Sequence, residues 1–209
     1  MIRIADRPVG TFGRKRSTWA AAALVAVLTG TLIPGCGHSP PTRYVALSAM
    51  PASAPLASEP VAPVQLTAVH IPAELDRLEV VTQFSANRLA IDDGARWGAP
   101  LGPMMRQTLA QDLLTRLPGG AFVLPDAPRP PDTRTLVVTV LAARPDANGV
   151  LTFDVAWTVL SGRPARVTLS RETTLTSQMA DRDAAAQAAA LSRILGQLAD
   201  QIVGSLPAR

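Results

Sequence analysis

Apolar and polar positions divide the chain into a short leading apolar run, a proline-rich stretch and a long region of regular alternation. An uncharged run over residues 17–28 follows Arg14, Lys15 and Arg16, and Thr29, Gly30 and Thr31 close it. Residues 43–47 have strand character. Residues 48–63, rich in proline, alanine and serine, show neither helical nor strand period and read as a mobile loop, or as the second half of a tether starting at Gly37. Strand patterns follow over 64–71, 78–84 and 87–91, the last two joined by a hairpin at Ser85-Ala86, and Asp92-Asp93-Gly94 has turn chemistry. A helix is expected to begin near Pro100 or Pro103. Leu101, Met105, Leu109, Leu113 and Leu117 recur every fourth residue, Ala110 and Leu114 widen the stripe, and Pro118-Gly119-Gly120 stops it.

The second half is simpler. A short strand over 121–124 and a four-proline loop over 125–131 precede an almost wholly apolar strand over 135–143, the pattern of a strand buried on both faces. Asn148-Gly149 signals a tight hairpin. Leu151, Phe153, Val155, Trp157 and Val159 then alternate with polar residues as in a half-buried strand. Residues 165–176 are more polar, as an edge strand is. A last helix from Asp181 or Asp183 to about Leu206 carries Ala184, Ala188, Leu191, Leu195, Leu198 and Ile202 on one side. The order predicts an α/β fold: a mixed β-sheet covered by two amphipathic helices in two or three layers, as a single domain after an N-terminal signal peptide and tether.

The leading run has the three parts of a secretory signal peptide: positive charge, a short apolar core and a small-residue exit. It is too short for a comfortable membrane span, which takes roughly 20 residues, and Pro34 breaks its end. The chain's single cysteine, Cys36, stands at the expected cleavage point. Leu32-Ile33-Pro34-Gly35-Cys36 resembles the lipobox of bacterial lipoproteins, with Cys36 as the acylated residue. That resemblance implies a diacylglyceryl thioether plus an amide-linked chain, a durable anchor where one acyl chain would hold only marginally. Gly37 in place of aspartate implies sorting to the outer membrane, periplasmic face. The expected organisation is a signal peptide over 1–35, a lipidated N-terminus with first strand and linker over 36–63, and a folded domain over 64–207.

Charge narrows the function. Five of the twenty basic residues and one of the sixteen acidic ones precede Cys36, leaving fifteen of each in the mature chain. The basicity belongs to the targeting segment, and nothing argues for nucleic acid. Only two histidines are present, His38 in the tether and His70 in a strand, so neither a histidine metal cluster nor a Ser-His-acid triad is easily built. There is no phosphate loop or Gly-x-Ser-x-Gly motif. Asp92-Asp93 reads as a solvated turn pair. No catalytic, metal or cofactor site is assigned, and an enzyme is not expected.

The middle of the chain carries a family pattern. Ile71-Pro72-Ala73-Glu74-Leu75-Asp76-Arg77, then Val80-Val81-Thr82, then Arg96-Trp97 with Pro100-Leu101, resembles the PqiC-type ABC-type transport auxiliary lipoproteins associated with MCE lipid transport. The sequence departs from that pattern at Glu74, Gln83 and Gly98-Ala99. The resemblance implies a non-enzymatic outer-membrane component that docks to an MCE-domain protein of the same system and contributes to membrane integrity. The membrane is reached through acyl chains on Cys36, and phospholipid binding and homo-oligomerisation stay open. Asp76, Arg77, Arg96 and Trp97 are the candidates for partner contact. Against that stand a turn-capping, ion-paired role for Asp76 and Arg77, and for Trp97 a packing role where the helix begins. The alternative is a structural or assembly lipoprotein of another envelope export or secretion system.

Overall fold

The computed structural model describes residues 41–57, 60–85 and 88–207. The expected signal peptide, Cys36 and Ala86 of the expected hairpin lie outside them. The core lies within residues 45–206, and the segment from Pro41 onward forms one compact unit.

Among the described residues, eight strands and two helices form two sheets and a helical layer. In chain order they are β1 (Arg43–Val45), β2 (Val64–His70), β3 (Glu79–Ser85), β4 (Arg88–Trp97), α1 (Leu101–Arg116), β5 (Phe122–Val123), β6 (Arg134–Pro145), β7 (Val150–Ser161), β8 (Arg166–Gln178) and α2 (Ala184–Ser205). The larger sheet has the order β5-β2-β6-β7-β8: β2 runs parallel to both neighbours, and β6, β7 and β8 form an antiparallel meander. The smaller sheet has the order β1-β4-β3, with β1 parallel to β4 and β3 antiparallel to it.

The main expectations hold: two helices on a mixed sheet, with β8 at an edge. Alternation on β7 places Leu151, Phe153, Val155, Trp157 and Val159 under the helices, and the Trp157 indole N–H donates to Ser205 Oγ at 3.1 Å. Asp183 caps α2, its carboxylate accepting the Ala186 N–H at 2.8 Å, so one of the helix's orphan donors is met. Asp146 accepts the N–H groups of Asn148 and Val150, both at 2.8 Å, and Gly149 takes the positive φ the tight turn needs.

Four local expectations change. The strand over 134–145 is not buried on both faces: Leu136, Val138 and Val140 are buried, Val137 and Thr139 only half so, and Leu141 is exposed. A continuous apolar run cannot by itself distinguish one covered face from two, and β-branched residues sit well on a half-open sheet surface. Leu114 lies outside the buried stripe of α1 and is exposed. Asp92-Asp93-Gly94 does not turn the chain but forms a bulge within β4: Glu79 pairs with Arg96 and Val80 with Asp92, and Asp92 Oδ1 accepts the Gly94 N–H at 2.9 Å.

The fourth concerns the proline-rich stretch. Its described residues 48–57 are no mobile loop but a strap hydrogen-bonded to both helices. Ser48 N–H donates to Ser192 Oγ at 3.0 Å on α2, Ala52 N–H to Thr115 Oγ1 at 3.1 Å on α1, and Leu56 N–H to the Arg116 carbonyl at 2.8 Å. The last bond satisfies a carbonyl that the end of α1 leaves without an intrahelical partner.

Candidate functional site

Two sites emerge, one from the motif residues and one that sequence patterning did not show. At the first, the turn after Pro72 leads Asp76 and Arg77 into β3, while Arg96 and Trp97 end β4 beside it. Glu79 joins two of the candidates: it accepts from Arg96 Nη1 at 2.7 Å and from Arg77 Nε at 3.1 Å. The bond from Arg96, then a backbone N–H and Arg77, hold the Glu79 carboxyl down at about 2, from an ordinary 4.5. The three side chains are about one-third exposed.

Asp76 and Trp97 do not join them. Asp76 is exposed at the turn's end, where its N–H donates to the Pro72 carbonyl at 3.2 Å. Trp97 is 3% exposed, and with Leu101, Ala143 and Leu151 it lines a small internal cavity. Its role is packing the smaller sheet against the rest of the core, and it offers no surface to a partner. Asp92 pairs with Arg43 at 3.7 Å and serves the bulge. Among the described residues no group of three His, Cys, Asp or Glu side chains is placed to hold a metal ion, and no helix is long and apolar enough to cross a membrane.

The second site is where the strap is fastened. Met50 N–H donates to Asp112 Oδ1 at 2.6 Å, and Arg116 Nη1 donates to the Met50 carbonyl at 2.8 Å. Both backbone groups of one strap residue are thus held by charged side chains one turn apart on α1. Arg116 Nε also meets Asp200 Oδ1 of α2 at 2.5 Å, and its Nη1 lies 3.6 Å from Asp112 Oδ1. Asp112 is fully buried, and burial pushes its carboxyl above the ordinary value against the opposing pull of the Met50 N–H and Arg116. Its second oxygen, Oδ2, has no hydrogen-bond partner among the described residues. Opposite, Gly196 of α2 leaves room for the strap: a Cβ there would stand 3.0 Å from Met50 Cβ and 3.4 Å from Arg116 Nη2.

The apolar stripe of α1 does not show the fastening, because Thr108, Asp112 and Arg116 are polar and fall off that stripe. All three are buried, and they recur every fourth residue. That regular spacing, next to a proline-rich segment without period, was the available signal of a helix covered on two sides.

Fold and fastening together define an α/β domain whose strap, residues 48–57, is built into its helical face. The model of the ABC-type transport auxiliary lipoprotein component family matches residues 44–203. The chain belongs to that family. No curated relative matches the chain. Among solved structures, an uncharacterized protein shares 21% identity at a TM-score of 0.65, covering 78% of this chain and 97% of its own. A protein of Xanthomonas campestris shares 20% at a TM-score of 0.59, covering 78% and 92%. A PelC dodecamer of Paraburkholderia phytofirmans shares 16% at a TM-score of 0.43, covering 80% and 95%. The first two have the same fold.

Proposed function

We propose that this transport auxiliary lipoprotein is a non-enzymatic component of an MCE-type lipid transport system, anchored through Cys36 to the periplasmic face of the outer membrane. There it docks to an MCE-domain protein and supports outer-membrane integrity. The observation that carries the reading is the family match over residues 44–203 behind a lipobox-like Leu32–Cys36. The strap gives that reading a mechanical basis. The chain leaving Cys36 joins the domain as β1, paired to β4, and is then held to α1 and α2 by the strap, so the anchored end leads into structured chain rather than into a loose linker. Domain boundaries follow from the same reading: signal peptide to Gly35, lipidated segment with strand and strap to Pro63, and sheet and helices from Val64.

Cys36→Ser is expected to leave the protein unlipidated and to release it from membranes. Mass spectrometry of the wild-type mature N-terminus together with membrane fractionation reads this out. An unmodified terminus, or unchanged retention of the variant, would refute the anchor. Failure of the lipidated protein to co-purify with an MCE-domain protein of the same organism would refute the partner.

A further inference from the structure

The mature chain is neutral overall, yet folding gathers positive charge at one end of the larger sheet. The proline loop before β6 and the turn between β7 and β8 stand side by side there and enclose a cleft of about 700 Å³. Arg129 and Arg163 line it. Arg134, at the start of β6, and Arg166, at the start of β8, flank it, and Asp132 is the acid among these residues. Neither Arg163 nor Arg166 has an ion-pair partner among the described residues.

The cleft wall is built rather than incidental. Arg129 Nε donates to Gln65 Oε1 at 2.5 Å, and its Nη1 reaches Thr135 Oγ1 at 3.3 Å. Gln65 is itself buried, its amide nitrogen donating to the Leu124 and Ala127 carbonyls, both at 2.9 Å. A buried glutamine thus holds an arginine in place at the rim. Holding it beforehand lowers the ordering cost of binding an anion. Pro130, Pro131 and Pro164 are among the residues of the other walls.

We propose that this end of the sheet is a docking surface for a carboxylate-rich segment of a protein partner. The proposal rests on the anchored-lipoprotein reading above, and the separation of the anchor's entry point from the arginines favours protein over phospholipid. Cys36 stands seven residues before Arg43, which extended chain spans in at most about 25 Å. The strand that receives this segment, β1, lies in the smaller sheet. That sheet packs at the opposite end of β6 and β7: Glu79 and Trp97 line a cavity with Ala143 and Leu151. From Ala143 back to Arg134, nine residues along β6, is about 30 Å. The anchored segment thus enters the domain at the end away from the arginines, and the basic end is left for a partner's carboxylates. Charge complementarity of this kind sets encounter rate and register, and it weakens with salt.

Titrating the 15N-labelled chain from residue 36 onward, carrying Cys36→Ser, with a hexaglutamate peptide tests the surface. The expected amide shifts fall in 129–135 and 161–166. Affinity should drop at least about tenfold between about 50 and about 300 mM salt. Arg163→Glu/Arg166→Glu should weaken it at least about tenfold, with Arg171→Glu, mid-strand on β8, within about twofold. Shifts confined to other residues, or equal affinity for the charge-reversed variant, would overturn the proposal. So would flotation with phosphatidylglycerol–phosphatidylethanolamine vesicles that depends on Arg163 and Arg166. An MCE-domain partner that binds wild type and charge-reversed protein alike overturns this surface and leaves the transport reading intact. Peptide binding at 161–166 without any MCE binding does the reverse.

Discussion

Replacing Arg116 by methionine should show how much the strap fastening contributes. The substitution keeps most of the apolar stem and removes the guanidinium that meets Asp112, Asp200 and the Met50 carbonyl. Breaking a buried pair by removing one partner costs about 3–5 kcal/mol, because the other charge is left uncompensated. Asp112 can escape by taking up a proton, which sets a ceiling. Holding a proton at pH 7 on a carboxyl with an ordinary pKa of 3.8 costs about 4 kcal/mol. The expected loss is about 3 kcal/mol at pH 7, which for a domain of this size lowers Tm by roughly 6–12 °C.

The pH dependence carries the sign. A carboxyl raised in the folded state binds its proton more tightly there than in the unfolded chain, so the penalty is absent below about pH 3.8 and grows as pH rises. The deficit should therefore shrink to about 1 kcal/mol at pH 4.5. Denaturant unfolding of wild type and Arg116→Met at both pH values measures it. Asp112→Asn/Arg116→Met, which keeps an acceptor for the Met50 N–H without a buried charge, should recover most of the loss. A deficit below about 1 kcal/mol at pH 7, or one independent of pH, would refute the reasoning.

Two further predictions concern the neighbouring geometry. Carboxyl NMR should find Glu79 titrating near 2, and Arg96→Ala should move it toward 4.5; a titration unmoved by that change would remove Arg96 as the cause. Because this group is lowered in the folded state, its contribution to stability is present above 4.5 and is lost as pH falls toward 2. Gly196→Val places a side chain against Met50 and Arg116 and should cost about 1–3 kcal/mol, with new protease cleavage within residues 48–57; unchanged stability and protection would contradict the close approach.

Much of the architecture was legible because it is local. Period-two alternation over Leu151–Val159 and the four-residue stripe Leu101–Leu117 each report which side of one element meets the core. Turn chemistry at Asn148-Gly149 and the capping Asp183 act within a few residues of themselves. The lipobox-like segment and the motif around Pro72–Trp97 are strings, and they pointed to the family that the match over 44–203 shows.

What only the tertiary structure decided is which distant polar groups meet. Met50 and Asp112 are 62 residues apart, Arg116 and Asp200 are 84, and Gln65 and Arg129 are 64. Periodicity is silent on such pairs, because the energy that selects them appears only when burial removes water and leaves each polar group needing a partner. The same reason hid the basic end of the sheet in a chain that is neutral as a string from Cys36 onward. Charge counts are properties of sequence, whereas fields depend on where folding puts the charges.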